Sequence, residues 1–119
     1  MNDIRDNNQG AGREALIEQF LERSLDEVEQ MRRSVPQLIR GDAATWQEVR
    51  FCAQRMSASA KLLDLGVLGA CAGELARIAD EKFAGAKLDE NFLVVATTAI
   101  ETVALELSQL VAARTNRRR

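Results

Sequence analysis

Histidine and tyrosine are absent from this 119-residue chain, proline occurs once, and aromatic residues make up only 4% of it. Each shortage excludes something. Without histidine the chain lacks the usual general base, metal ligand and phosphoryl carrier of neutral pH. Ser-His-Asp and Cys-His arrangements are therefore excluded within one chain. The two cysteines, Cys52 and Cys71, are too few for a zinc site. Their C-x18-C spacing matches no redox motif, so both read as reduced and buried. Di-iron sites in helical bundles take Glu-x-x-His pairs, and neither Glu101 nor Glu106 has a histidine partner. No G-K-[ST] follows Gly66, Gly69 or Gly73, so no phosphate-binding loop is expected. The expectation is a protein that is not an enzyme and carries no cofactor and no metal.

Long apolar runs are also missing: none approaches the ~20 residues that span a bilayer. The opening MNDIRDNNQG holds no apolar signal region. A soluble, cytoplasmic protein with no membrane partner is expected. The net charge is only -2, but its distribution is uneven. Residues 114–119 (RTNRRR) hold four arginines, which leaves 12 basic against 18 acidic residues in the rest of the chain. An acidic body argues against nucleic acid as a partner. The basic end reads as a solvated C-terminal tail.

What is present is aliphatic: 46% of the residues are hydrophobic, spaced at helical intervals. Residues 1–12 are polar and without period, and read as a flexible tail. From Arg13, a first helix carries Ile17, Leu21, Leu25, Val28, Met31, Val35 and Leu38 on one stripe. Pro36 should kink it or start a last short turn, and Gly41 should end it as a left-handed cap. Asp42 is a reasonable N-cap for the second helix, with Thr45 to Glu48 as a capping-box alternative. That helix buries Trp46, Val49, Cys52, Ala53, Met56, Ala60 and Leu63, and breaks at Asp64–Gly66. A third carries Leu68, Cys71, Ala72, Leu75 and Ile78, with Gly69 and Gly73 among the small residues that admit a close neighbour. Glu81–Leu88 reads as a loop. Asp89 should cap a fourth helix bearing Leu93, Ala96, Ile100, Val103, Leu107 and Leu110. Its Val94–Thr98 run is β-branched, but the period over roughly 20 residues decides for helix. The expected fold is all-α, an antiparallel up-down four-helix bundle over residues 13–113.

The stretch Ala53-Gln54-Arg55-Met56-Ser57-Ala58-Ser59-Ala60, running on to Leu63, Leu68, Cys71, Ala72 and Leu75, resembles the core of histidine-containing phosphotransfer (HPt) domains. The family pattern is roughly A-H-x-L-K-G-S-A, with a Leu and a Gly further on. Phe20-Leu21-Glu22 resembles the family's first helix, and Gly41-Asp42 lies where its second often begins. About residues 14–112 are covered, and residues 53–63 carry most of the likeness. A register counted back from Gly66 puts Met56 at the histidine position and fits the apolar pattern worse. The functional positions depart from the family. Gln54 stands for the phosphorylated histidine, Ser57 for the lysine, Ala58 for the first glycine and Asp64 for the second. A glutamine amide is no phosphoryl carrier, and Ser57 supplies no positive charge.

The resemblance implies an HPt-like bundle that carries no phosphate. It would bind the receiver domain of a response regulator, or a histidine kinase, and modulate two-component signalling. Helical spacing assigns Arg50, Phe51, Gln54, Ser57, Ala58 and Lys61 to the partner-binding face. Gln54 reads either as the centre of that face or as an ordinary exposed residue, and Phe51 as anchor or core. The alternative function is a helical interaction or assembly subunit unrelated to phosphorelay. The same alternative includes a homodimer through the fourth helix, which is apolar beyond one stripe.

Overall fold

Spacings of three and four between aliphatic residues, interrupted by few helix breakers, produce helices nearly throughout. The computed structural model describes the backbone of residues 2–117 and the side chains of residues 12–116. Among the described residues there are five helices and no strand: α1 (Asn2–Arg33), α2 (Val35–Ile39), α3 (Ala43–Leu62), α4 (Gly66–Phe83) and α5 (Glu90–Arg117). They form a helical bundle. The most extensive packing is α3 on α4, followed by α4 on α5 and α5 on α1, while α1 also meets α3 and the one-turn α2 bridges α1 and α3.

Local chemistry places the breaks. Ser34 folds back on α1, its Oγ donating to the Gln30 carbonyl at 2.8 Å, and Pro36 sits in the first turn of α2, where its missing N–H costs nothing. This is the short-turn alternative for Pro36. Gly41 takes φ 77°, a left-handed conformation that glycine adopts without steric cost. Asp42 then caps α3, accepting from the Thr45 N–H at 3.0 Å. The α3–α4 break centres on Asp64, whose own φ is 60°. Asp89 caps α5 by accepting from the Phe92 N–H at 2.8 Å.

The core gathers most of the expected stripes: Ile17, Leu21, Val28 and Met31 of α1, Leu38 of α2, the inward residues from Trp46 to Ala60 of α3, from Leu68 to Ala79 of α4 and from Ala96 to Leu107 of α5, whereas Leu25, Val35, Leu63, Leu93 and Leu110 are half-buried. Trp46 is the largest wholly buried side chain, and its indole N–H donates to the Leu38 carbonyl at 3.0 Å, tying α2 to α3. The Val94–Thr98 run is helical.

Three boundaries differ from expectation. The helical backbone of α1 begins at Asn2, not Arg13. Propagating a helix already nucleated downstream is easy even for polar residues. The side chains of residues 2–11 lie outside the described residues. Second, α4 continues through Glu81 to Phe83, so the connection is Ala84–Asp89. Arg77 pairs with Glu74 and Glu81 along α4, and the Arg50 guanidinium of α3 stacks 5.1 Å over the Phe83 ring, so these contacts hold the last turn. Third, α5 runs through Arg114 to Arg117. Arg114 is mostly covered and pairs with Glu14 of α1, so it belongs to the bundle and not to a tail. Residues 118–119 lie outside the described residues.

α5 also differs from the reading that no long apolar segment exists. Within Glu90–Asn116 an 18-residue window is apolar enough, by length and composition alone, to cross a membrane. Uncharged polar and small residues interleave with the aliphatic ones, so no single run stands out. Part of the apolar character belongs to the inner stripe of Ala96, Ile100, Val103, Ala104 and Leu107, which packs in the bundle.

Candidate functional site

The candidate face is the outward side of α3. Its backbone is positioned by the close approach of α4, which the small residues permit. A Cβ on Gly69 would lie 2.9 Å from Lys61 Cγ, and one on Gly73 would lie 3.2 Å from Ser57 Oγ. The helices meet where α4 has no side chain.

The six residues assigned to this face divide in two. Phe51, Gln54, Ala58 and Lys61 are exposed together on one side of α3. Phe51 is 52% exposed and therefore a surface residue, not core. Ser57 corrects the expectation. It is buried, and its hydroxyl donates to the Gly69 carbonyl at 2.8 Å. The reason is geometric: position 57 points into the α3–α4 crossing, so a serine here closes the helix pair. Arg50 is also less available than expected. It is half-buried and lies 3.0 Å from Asp80 Oδ1 without hydrogen-bond alignment, with the Phe83 ring beneath its guanidinium.

Sequence reasoning missed three residues of the face. Leu62 is 81% exposed, one turn beyond Ala58, and Val67 is 64% exposed at the start of α4. Arg55 lies beside Gln54, exposed, and pairs with Glu27 of α1 at 2.7 Å. The signal for Leu62 was present: Phe51, Arg55, Ala58 and Leu62 follow spacings of four, three and four, a second row next to the one considered.

Electrostatically the face is one-signed. Residues 49–63 contain Arg50, Arg55 and Lys61 and no acid. Arg50 and Arg55 are matched by Asp80 and Glu27, whereas Lys61 has no ion pair among the described residues. Its stem lies along Gly69, which leaves the ammonium at the rim.

The two cysteines are free and face different neighbours. Cys52 is buried. Desolvation, reinforced by Glu27 and Glu48, pushes its thiol up to about 12. Cys71 is only half-buried, a departure from expectation, and its thiol is raised by desolvation and by Glu106 of α5. Among the described residues no cluster of three or more Cys, Asp or Glu side chains is arranged to hold a metal ion.

No protein-family model, curated protein or solved structure matches this chain.

Proposed function

We propose that this is an HPt-like protein that binds a receiver domain, or the histidine kinase that acts on one, and modulates two-component signalling without carrying phosphate. In this reading α1, α3, α4 and α5 are the four helices of an antiparallel HPt-like bundle. The carrying observation is the state of position 54. In the register of the family motif, Gln54 is exposed at mid-α3, flanked by the exposed Phe51 and Ala58 and by Lys61, which has no ion pair among the described residues. An exposed aromatic beside small residues is a suitable anchor, and Lys61, without an ion pair among the described residues, can meet an acidic group of the partner. The phosphate-free part of the reading rests on Gln54, whose amide is no phosphoryl carrier, and on Ser57, which brings no positive charge. A lysine at that position would lie in the helix crossing, and the serine there is spent on closing it.

The test is binding of purified receiver domains and kinases from the same organism, with Phe51→Asp and Gln54→Arg as disruptors. Each should weaken binding at least tenfold while leaving the helical spectrum unchanged, because both side chains are exposed. Gln54→His supplies a second, positive readout. Incubated with a phosphorylated receiver, that variant should acquire an acid-labile phosphoryl group on the introduced imidazole, while the parent protein acquires none. If no receiver or kinase binds, or if binding ignores Phe51→Asp and Gln54→Arg, the reading fails.

A further inference from the structure

The buried row of α1 is interrupted at its centre. It reads Ile17, Leu21, Ser24, Val28 and Met31, and Ser24 is as covered as its neighbours. A serine there supplies little of the transfer free energy that a leucine would. Grooves also flank the helix on both sides. Between α1 and α3, Leu16, Phe20, Leu62 and Leu63 border one of about 410 Å³, and Met31, Thr45 and Val49 border another of about 200 Å³. Between α1 and α5, Leu21, Leu25 and Val111 border a third of about 190 Å³.

Ion pairs tie α1 to its surroundings along its length. The Arg13 guanidinium reaches the α3–α4 turn, donating to Asp64 Oδ2 at 2.7 Å and to the Leu63 carbonyl at 3.2 Å. Glu14 pairs with Arg114 of α5. Glu27 meets Arg55 of α3 at 2.7 Å. Arg32 forks onto Glu101 of α5, with Nε 3.0 Å from Oε1. Every one of these pairs has at least one well-exposed partner. The other helices are joined differently. α3 and α4 close over Gly69 and Gly73 with the buried Ser57 hydrogen bond, and the Trp46 and Phe92 rings join α3 to α5.

We infer that α1 is a releasable strap: it detaches as a unit from a lasting α3–α4–α5 frame, to an extent set by ionic strength. The chain leaves the helix at Ser34, which supplies the hinge, while α2 stays on the frame through the Trp46 bond to the Leu38 carbonyl. Exposed pairs are individually weak and are screened by salt, but those on α1 all oppose the same opening. Released, α1 bares Ile17, Leu21, Val28 and Met31 and loses the packing that keeps it helical. The open state is rare under native conditions, so optical unfolding remains a single step and hydrogen exchange is the measurement that sees it.

This device involves neither Phe51 nor Gln54, so it stands or falls separately from binding at the α3 face. Native-state hydrogen exchange of the full chain should show the amides of residues 17–31 exchanging as one group, at least about tenfold faster than the slowest amides of α4 and with a weaker dependence on low urea. Raising NaCl from about 0.05 to 1 M should speed the α1 group roughly threefold or more. Glu101→Gln should speed it too, and should reduce its response to salt. Ser57→Ala, which removes a bond of the α3–α4 crossing, should speed the α4 amides and leave the α1 group unchanged, because α1 opening keeps that crossing closed. Equal protection of α1 and α4 overturns the inference, as does an α1 group indifferent to both salt and Glu101→Gln. Ser57→Ala speeding α1 as much as α4 overturns it as well.

Discussion

Cys52 faces α1 and Cys71 faces α5, and their surroundings set different reactivities. Burial beside Glu27 and Glu48 raises the Cys52 thiol to about 12 from an ordinary 9.0. The thiolate is the nucleophile, so Cys52 should be almost inert in the folded protein. At pH 8 a thiol reagent should modify Cys71 first and reach Cys52 only as the chain unfolds; equal labelling rates would refute this. The same shift predicts an alkaline loss of stability. A raised folded value means that the contribution is intact below about pH 9 and is lost as pH climbs toward about 12, since the unfolded thiol ionises first. Replacing Cys52 by alanine should flatten that decline in a series of denaturant titrations. The burial of Cys52 was legible from its place on the α3 stripe. The half-exposure of Cys71 was not, because it depends on how far α5 covers the flank of α4.

Two elements, α3 and α5, begin where the sequence says they should, because their N-caps are local. Asp42 needs only Thr45, three residues on, and Asp89 needs only Phe92. The hydrogen bonds from the Thr45 hydroxyl and N–H hold the Asp42 carboxyl below its ordinary range. A lowered folded value means a contribution present above the ordinary carboxylate pKa and lost as pH falls through the folded one. Asp42→Ala should therefore lower the melting temperature by a few degrees near neutrality, and the gap should close in acid. A gap independent of pH would assign the loss to something other than the cap. Helix ends were harder to read. α4 persists to Phe83 through a stack with Arg50 of another helix, and α5 persists past Arg114 through a pair with Glu14, about 100 residues away in sequence. No local pattern announces either contact. At the α3–α4 crossing the pattern was half legible. Gly69 and Gly73 marked a close approach, but the inward turn of Ser57 appeared only once the two helices were set side by side.

At the scale of the molecule, one residue reports on the assembly. Trp46 is buried where α2, α3 and α5 meet, bonded to the Leu38 carbonyl and 5.9 Å from the Phe92 ring. It is the only tryptophan, so its fluorescence follows tertiary packing while circular dichroism follows helix content. The two signals should trace one urea transition, as expected of a single small domain. Trp46→Phe should shift that transition by about 2–3 kcal/mol, through the lost hydrogen bond and the space left behind. Helicity outlasting the loss of fluorescence would show that α2 and its neighbours open before the rest.

The sequence by itself determined that the chain is helical, where most of its helices start, which stripes face inward, and that no histidine chemistry is available. These follow from residue type and from spacing along the chain, which act locally. Only the tertiary structure decided which residues of α3 remain on the surface. A helix row is shared between core and solvent according to where its neighbours lie, so Phe51, Gln54 and Leu62 stay out while Ser57 goes in. The same holds for α5, whose inner aliphatic stripe is covered by the bundle while its uncharged outer stripe is left open.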